Sequence, residues 1–244
     1  MIRHRTIWLS DMHLGTQGCS AGKILDFLDN NDAETIYLVG DIIDGWRLSR
    51  KFSWPRSHND VVQKLLQKAR AGTRIVYAIG NHDELLRPYI GNNFGGIELV
   101  DDCVHETADG RSFLIIHGDK FDAITQYHCW LARLGDVSYD ALLAVNRWLM
   151  CIRRCLGFRH WSLSAYIKQR VKQAACFISR YEQTIAEECR QRGYDGIICG
   201  HIHHAVIKPI GDDVIYCNTG DWVESCTALV EDFAGNLSIV HHSG

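Results

Sequence analysis

The stretch IVYAIGNHDELLR, residues 75–87, changes character near its middle. Its first five residues are apolar and of strand length, so they predict a buried β-strand. Gly80 ends this run, and Asn81, His82 and Asp83 follow, which between them can bind a metal ion or exchange a proton. In an open α/β sheet, functional groups lie beyond the carboxyl ends of the strands. The stretch therefore predicts such a sheet, with a functional site at this end.

Four further apolar runs end in the same way, in aspartate or histidine. Residues i and i+2 of an extended segment point to the same side, so Asp11 with His13, and His201 with His203, are each expected to direct two side chains to one place. A glycine before the ligand is expected to let the backbone turn tightly and approach an ion. The residues at these four strand ends are Asp11, His13, Asp41, Asp44, His117, His201, His203 and His204.

The side chains at these strand ends are carboxylates, imidazoles and an amide, without sulfur. This donor set suits Mn²⁺, Fe²⁺ or Zn²⁺. A pair of ions needs a bridging carboxylate, and Asp41 is the best candidate because it directly follows a glycine at a strand end. Taken alone, G-N-H-D is equally consistent with a turn that holds Asn81 in the left-handed region. All five strand ends in order favour a metal site over a purely structural interpretation.

Composition limits the classes to which the chain can belong. Its 244 residues, 46% of them hydrophobic, predict one large domain with room for an inserted subdomain. A net charge of −3 gives no overall attraction to nucleic acid. The ten cysteines are scattered, which indicates free thiols in a reducing compartment. The first apolar run is too short for a signal peptide and no run has the length of a membrane span, so we expect a cytoplasmic protein, or one bound peripherally to the inner membrane face.

The order of the predicted elements divides the chain. Strands alternate with helices through residues 1–122, with a hairpin turn at Asp109-Gly110, and strands resume in residues 193–244. Residues 123–192 carry a long helical pattern instead. We therefore predict an α/β core, residues 1–122 and 193–244, interrupted by a helical cap at residues 123–192.

The ordered motifs D-x-H, G-D-x-x-D, G-N-H-D, H-G-D and G-H-x-H resemble those of the calcineurin-like metallophosphoesterase superfamily over residues 6–122 and 195–222. This resemblance implies a four-layer α/β/β/α sandwich of mixed sheets with the helical cap inserted. It also implies two divalent metal ions, with Mn²⁺ expected and Fe²⁺ or Zn²⁺ as alternatives. The ligands it assigns to the first ion are Asp11, His13, Asp41 and His203, and those to the second are Asp41, Asn81, His117 and His201.

The resemblance also implies catalytic roles for the residues that are not metal ligands. His82 would face the phosphate as general acid or electrostatic clamp, and Asp83 would orient its imidazole. The metal pair would hold the phosphate and activate water to hydroxide for in-line attack on phosphorus. The implied reaction is hydrolysis of a phosphodiester or pyrophosphate bond.

The predicted cap combines cations with aromatic and aliphatic residues. On a helix, Ser164, Lys168 and Lys172 would lie four residues apart on one face and could bind a phosphate. This composition fits an amphiphilic, anionic substrate or contact with anionic lipid headgroups. The alternative is a solvated basic helix face with the aromatic residues as the core of the cap.

The segments DIIDGW, WSLSAYIK and GDWVESCTALVE are similar to the UDP-2,3-diacylglucosamine hydrolase-like branch of this superfamily, over nearly the whole chain. That branch releases UMP and lipid X on the way to lipid A, and its cap holds the acyl chains. The likeness places substrate contacts at Asp122, Ser164 and Lys168. His82 is a departure, because genuine hydrolases carry arginine there, and arginine does not donate a proton at neutral pH.

Three alternatives stay open on the sequence. A nuclease could use the same metal site, with the cations and aromatic residues of the cap on a single strand, but the net negative charge makes a nucleic-acid partner the less favoured interpretation. A phosphodiesterase or pyrophosphatase acting on another small molecule is the second. A catalytically silent scaffold is the third, although every motif position is filled.

Overall fold

A computed structural model of the chain describes residues 1–124, 178–179 and 181–242. The chain divides into two compact units, Met1–Asp119 with Gln183–Gly244, and Lys120–Glu182. Most of the predicted cap lies outside the described residues, so the helical insertion at residues 123–192 stays a prediction.

Two mixed β-sheets form the larger unit, with the strand orders β12-β11-β1-β2-β3-β5-β4 and β6-β7-β8-β10-β9. The strands of the seven-stranded sheet are β1 (Ile2–Leu9), β2 (Asn31–Val39), β3 (Arg74–Ala78), β4 (Asn93–Phe94), β5 (Ile97–Val100), β11 (Thr227–Glu231) and β12 (Leu237–His241). Those of the five-stranded sheet are β6 (Cys103–Glu106), β7 (Ser112–Ile115), β8 (Gly196–Cys199), β9 (Val206–Ile210) and β10 (Val214–Asn218).

Parallel strands lie at the centre of each sheet. β1, β2, β3 and β5 run parallel in the larger sheet, and β7, β8 and β10 in the smaller one, while antiparallel strands close the edges. Parallel neighbours need a crossover connection. In the larger sheet α1 (Ala21–Asn30) connects β1 to β2, and α2 (Gly45–Arg50) with α3 (Arg56–Arg70) connects β2 to β3. A further helix, α4, covers residues 181–192.

Alternation along the strands builds two apolar layers. Ile7 and Leu9 of β1 belong to the core beneath α1 and α3, whereas Trp8 between them faces the smaller sheet. This is the period of two that a strand imposes. The layer between the sheets consists of buried residues from both of them, namely Trp8, Tyr37, Val39, Val76, Phe113, Ile115, Ile198, Cys217 and Leu229. The two sheets therefore pack face to face, and the predicted α/β sandwich of mixed sheets is confirmed.

Most local predictions hold in the structure. β6 and β7 form the predicted hairpin around Asp109-Gly110, and α3 ends just before Gly72, whose φ is +105°. The sequence pattern missed α2, because six residues show no helical period, and β9, because Pro209 weakens a strand signal. β9 is an edge strand, where a proline costs no ladder hydrogen bond. β4 and β5 are too short for the pattern.

Two further expectations concern the whole chain. Within the described residues, every cysteine is a free thiol, namely Cys19, Cys103, Cys189, Cys199, Cys217 and Cys226. Among the helices of these residues, none combines the length and the apolar character that a bilayer crossing requires.

Candidate metal centre

The predicted ligands lie where five parallel strands end. β1, β2 and β3 of the larger sheet and β7 and β8 of the smaller sheet all run into loops at the same edge of the sandwich. Each loop contributes at least one polar side chain within two to four residues of its strand. The residues brought together are Asp11 and His13 after β1, Asp41 and Asp44 after β2, Asn81 and His82 after β3, His117 after β7, and His201 and His203 after β8.

The side chains form two adjoining donor groups. In the first, a ligand atom each of Asp11, His13 and His203 lies within 4.8 Å of the others, and His203 Nε2 is 3.1 Å from Asp11 Oδ1. In the second, Asp41, His117 and His201 are grouped in the same way. His117 Nε2 is 3.3 Å from Asp41 Oδ2. The pair His201 and His203, expected at one place, is thus divided between the two groups.

A third grouping joins the first two. It contains His13, Asp41 and His82, again with donor atoms within 4.8 Å of one another. Asp41 therefore belongs to two groupings and His13 to two, so the donors form one continuous cluster. This position of Asp41 is what the bridging role requires.

The backbone at this cluster is strained. A residue with a Cβ atom rarely adopts a positive φ, because the Cβ then crowds the backbone. Among the described residues six non-glycine positions do so, and five of the six are predicted metal ligands. These are Asp11 (51°), His13 (50°), Asp41 (54°), His201 (69°) and His203 (56°). Such conformations each cost about 1–3 kcal/mol and persist only where the surrounding structure enforces them.

This strain corrects two sequence expectations about local geometry. The ligand segments are not extended, so the i and i+2 rule does not explain why Asp11 and His13 converge. Nor does the preceding glycine do all of the turning, because the ligands themselves take the left-handed conformation. The backbone is bent at each ligand in turn, and this bend aims the side chain.

Of the glycines before the ligands, Gly40 has the expected turning conformation, with a φ of +77°, and all three also leave space. A Cβ on Gly40 would collide with the ring of His117, one on Gly80 with the carboxylate of Asp41, and one on Gly200 with the carboxylate of Asp11. In each case the side chain that fills the space comes from a neighbouring strand end. The glycines therefore let ligands from different strands approach closely enough to form one cluster.

Four buried polar atoms of the cluster lack a hydrogen bond of good geometry in the described structure: Asp11 Oδ1, Asn81 Oδ1, His82 Nδ1 and His117 Nε2. His117 Nδ1 is 2.9 Å from the carbonyl oxygen of Val39, so that nitrogen can donate there while Nε2 faces the cluster, free to bind a metal once deprotonated. Burying polar atoms without such bonds is costly, and bound divalent cations would satisfy Asp11 Oδ1, Asn81 Oδ1 and His117 Nε2. Carboxylate, amide and imidazole donors suit the borderline metals, so these residues fit a metal centre.

The pKa shifts within the cluster also favour a bound cation. Burial raises the pKa of Asp11, but the close imidazole of His203 and the charge of His117 outweigh it and lower that pKa below its ordinary value. Burial likewise opposes ionisation of Asp41, and the charge of the close His117 imidazole reverses the effect, so its pKa is lowered. The pKa of His117 is raised well above its usual value, because Asp41 outweighs burial. Protons and metal ions therefore compete for the donors of this cluster, and metal binding would release protons.

His82 is held beside the two donor groups. Its Nδ1 atom lies 3.1 Å from Asp44 Oδ1, and its Nε2 atom lies 3.8 Å from Asp41 Oδ2. Burial lowers the pKa of His82, but the close carboxylate of Asp44 and the charge of Asp41 raise it overall. The ring of Trp46 covers the imidazole with the ring centroids 4.3 Å apart. A protonated imidazole in this position can donate through Nε2 towards the cluster.

The structure gives Asp83 a different place from the predicted one. Its carboxylate is fully buried and accepts hydrogen bonds from the backbone N–H groups of Ile43, Ile42 and Gly80, at 2.7, 3.2 and 3.3 Å. Burial and the charge of Asp41 raise its pKa to about 6. The residue that contacts the His82 ring is Asp44 instead. Asp83 stabilises the loops after β2 and β3, because its carboxylate oxygens accept hydrogen bonds from the backbone amides of both loops.

Asp44 is the main residue that the sequence-based assignment left out. It follows Asp41 at i+3, and its carboxylate also caps α2 by accepting from Arg47 N at 2.8 Å. Its second oxygen lies 3.6 Å from His13 Nδ1. The motif G-D-x-x-D contains this aspartate, but only the fold shows that its carboxylate contacts the two histidines.

A supporting set of hydrogen bonds was also missed. Ser10 Oγ donates to Asp11 Oδ2 and lies 2.5 Å from the Thr219 hydroxyl. Asn218 donates to the carbonyl oxygen of Gly200 at 2.6 Å, and so fixes the loop that carries His201. No local pattern marks these residues, since they come from a distant strand, β10, and the loop after it.

The predicted substrate contacts are not placed by the described structure. Ser164, Lys168 and Lys172 lie outside the described residues. Asp122 lies in a 3₁₀ helix, Asp119–Ile124, and only its backbone is described. These four assignments stay predictions.

Comparison with known proteins agrees with this geometry. A sequence profile of the calcineurin-like phosphoesterase family matches residues 4–205. A UDP-2,3-diacylglucosamine hydrolase of Chromohalobacter salexigens is 25% identical over 227 residues, 89% of this chain and 88% of the relative. A Pseudomonas aeruginosa protein of the same name is 26% identical over 240 residues, 94% of this chain and 96% of the relative.

Solved structures give the fold alone. The structure of a novel archaeal phosphodiesterase aligns over 97% of this chain and 98% of its own, with a TM-score of 0.50 and 16% sequence identity. The family profile spans most of the chain, including every strand end that carries a donor. The resemblance drawn from the five motifs is confirmed, and the chain belongs to the calcineurin-like phosphoesterase family.

Proposed function

We propose that the protein is a metal-dependent hydrolase that cleaves a pyrophosphate or phosphodiester bond, with UDP-2,3-diacylglucosamine or a related nucleotide-lipid as its substrate. The observation that carries the proposal is the pair of donor groups joined through His13 and Asp41, beside a histidine that belongs to neither implied ligand set. Bound divalent ions would supply Lewis-acid activation of water and of the phosphoryl oxygens. Mn²⁺ is our proposed ion, with Fe²⁺ and Zn²⁺ as alternatives.

The residues of the chain itself have distinct tasks in this proposal. Asp11, His13, Asp41 and His203 hold one ion, and Asp41, Asn81, His117 and His201 hold the other. His82 stands apart, with Nδ1 against Asp44 and Nε2 towards the cluster. Held in this way, its imidazolium binds the negative charge that builds up on the phosphoryl group and donates a proton to the leaving oxygen.

The choice of substrate is supported by relatives that match nearly end to end. Both hydrolases named above cover at least 88% of their own length in the match, which includes the region of the predicted cap. The proposed products are UMP and lipid X, and the proposed substrate contacts are Asp122, Ser164, Lys168 and Lys172. An amphiphilic substrate of this kind lies in a membrane, so the proposal includes contact of a cytoplasmic protein with the inner membrane face.

His82 favours a second candidate within the same chemistry. It stands where the resemblance expects arginine, and the structure holds it against Asp44 as a proton donor. Arginine offers charge without a transferable proton. The second candidate is therefore a phosphodiesterase or pyrophosphatase whose substrate has a poorer leaving group than a phosphate monoester, and which needs that proton.

The test is hydrolysis by purified protein, stripped of metal and then supplied with Mn²⁺. UDP-2,3-diacylglucosamine and the soluble diester bis-p-nitrophenyl phosphate are assayed in parallel, with release of UMP and of p-nitrophenol as readouts. We expect both to be cleaved, and both activities to vanish in Asp41→Asn.

Each other outcome separates the candidates. Cleavage of the soluble diester without release of UMP would discard the nucleotide-lipid and favour the second candidate. Salt-dependent cleavage of single-stranded DNA in preference to both would favour a nuclease. Absence of any hydrolysis by protein that binds two metal ions would favour a silent scaffold.

A further inference from the structure

Unpaired cations are concentrated in one segment of the described structure. Nine of the arginine and lysine side chains outside it form ion pairs with acids, for example Arg74 with Glu98 and Arg87 with Asp101. In contrast, the segment 46–56 carries four exposed cations with no ion pair to a described acid, and no acid lies between residues 45 and 59. These four cations are Arg47, Arg50, Lys51 and Arg56.

Exposed aromatic residues lie among these cations. Phe52 has 77% of its surface exposed and Trp46 has 37%. On α2, residues three or four apart share a face, which places Arg50 beside Arg47 and Trp46, and Lys51 follows at the C-terminal end of the helix. We call the exposed residues of this segment the basic–aromatic surface, namely Trp46, Arg47, Arg50, Lys51, Phe52 and Arg56.

The basic–aromatic surface is anchored on both sides. Leu48 packs over Gly15, and Trp54 packs against the core beneath α3 and contacts the ring of His58 with the centroids 5.8 Å apart. Trp54 of this segment therefore reaches the core, whereas the side chain of Phe52 stays exposed. Exposed aromatic residues among unpaired cations give this segment the composition of an interfacial contact surface.

This surface begins at the metal centre. Asp44 accepts from Arg47 N at 2.8 Å, so the carboxylate that contacts His82 also starts α2. Trp46, the first side chain of the surface, covers the His82 ring. Whatever binds to the basic–aromatic surface is therefore held next to the reacting groups.

We propose that the basic–aromatic surface docks onto the surface of an anionic lipid bilayer. Clustered cations attract anionic headgroups, at about 1 kcal/mol for each, and exposed aromatic rings insert at the interface. Single-stranded nucleic acid is the less favoured occupant, because it needs aromatic rings in a long basic groove, and the net charge of the chain is −3. The inference rests on the proposed function, because a lipid substrate is what would bring the protein to a bilayer. Its test needs no substrate.

The test is co-sedimentation of the full chain with vesicles of phosphatidylcholine alone, and with vesicles of equal parts phosphatidylcholine and phosphatidylglycerol. We expect binding to the anionic vesicles only, weakened by salt. Arg50→Gln/Lys51→Gln removes two cations of the surface and should lower the partition coefficient roughly 30-fold. Phe52→Ser should lower it about tenfold through the lost insertion of the ring.

A matched control is available in the same unit. Lys23 and Arg70 are also exposed cations with no ion pair to a described acid, but they lie on α1 and α3, away from segment 46–56. Lys23→Gln/Arg70→Gln changes the net charge by the same amount and should leave vesicle binding within about twofold. Equal loss in the two double variants would overturn the proposal, since net charge alone would then explain the binding.

Two further outcomes also decide against the proposal. Equal binding of wild type to neutral and anionic vesicles would remove the role of the cations. Capture of single-stranded DNA without vesicle binding, lost in Arg50→Gln/Lys51→Gln, would assign the surface to nucleic acid. Hydrolysis of bis-p-nitrophenyl phosphate, a soluble substrate, is expected to stay unchanged in all of these variants, which separates failure of docking from failure of the proposed reaction.

Discussion

Two buried clusters of this protein combine a carboxylate with histidine, and they differ in one respect. Glu231 on β11 has a fully buried side chain whose oxygens accept from Arg5, Thr6 and the backbone N–H of Ala108 at 2.7–2.9 Å, and Oε2 lies 2.9 Å from His105 Nε2. Both of its oxygens have partners. At the metal centre, Asp11 Oδ1, Asn81 Oδ1, His82 Nδ1 and His117 Nε2 lack a hydrogen bond of good geometry in the described structure.

The backbone shows the same contrast. β11 is a regular strand with Glu231 opposite Thr6, whereas Asp11 and Asp41 have positive φ. The Glu231 cluster connects β11 of one sheet to His105 on β6 of the other, so it stabilises the sandwich. The metal centre instead retains strain and unpaired atoms. In these two clusters, the combination of strained backbone and carboxylate or imidazole atoms without good hydrogen bonds distinguishes the candidate ligand site from the cluster that holds the fold together.

The largest expected effect is on the shared ligand. Asp41→Asn should reduce hydrolysis of bis-p-nitrophenyl phosphate to background, because Asp41 belongs to two donor groupings. Mn²⁺ at 100 times its dissociation constant should stabilise wild type by about 2.7 kcal/mol against unfolding and leave Asp41→Asn unaffected. Metal content and thermal denaturation measure this. Asp212→Asn, an exposed aspartate, is the control, and full activity of Asp41→Asn would contradict the assignment.

His82 provides the next largest effect. His82→Ala should lower kcat roughly 10²–10⁴-fold, the usual contribution of a general acid, while both metal ions stay bound. Asp44→Asn should cost less, about 10–100-fold, because it orients the imidazole without reacting. Steady-state kinetics with metal analysis of the same samples tests this. Loss of one metal ion in His82→Ala would make His82 a ligand, as its grouping with His13 and Asp41 allows.

The Glu231 cluster should respond in the opposite way. Glu231→Ala leaves His105, Thr6 and Arg5 without their shared acceptor, so the free energy of unfolding should fall by about 3–5 kcal/mol. Metal content should not change. Urea denaturation measures the loss, and Glu34→Ala provides the control, because Glu34 forms only a surface ion pair with Arg3 at 3.6 Å. A change within about 0.5 kcal/mol in both variants would show that the cluster is not stabilising.

The smallest expected effect is the loss of the stability contribution of Glu231 at acidic pH. Burial raises the pKa of Glu231, but the hydrogen bonds from His105, Ala108 and Thr6 outweigh it and lower that pKa. An acid with a lowered folded pKa stabilises the fold above its unfolded pKa of about 4.3, and that contribution disappears as the pH falls through the folded value. The stability difference between wild type and Glu231→Ala should therefore be constant near neutral pH and narrow in acid. Urea denaturation at several pH values, with a chelator present, measures this difference in the free energy of unfolding. A difference that widens in acid would contradict the prediction.

The sequence by itself determined the fold class and the chemical type of the site. Apolar runs of period two, helices with the 3.6-residue period and the turn at Asp109-Gly110 are local signals, and the structure confirms them. Asp41, His117 and His203 were identified because parallel strands deliver their carboxyl ends to one edge of a sheet, so ligands that follow strands must meet there. That argument needs only the order of elements along the chain.

Tertiary structure alone decided which residues contact which. The division of His201 and His203 between two donor groups, the contact of Asp44 with His82, and the enclosure of Asp83 by backbone amides depend on loops from different strands. The Glu231 cluster joins residues more than 100 positions apart. Such pairings follow from how the two sheets pack, because burial of the layer between them fixes where each loop ends. No local period of the sequence encodes that geometry.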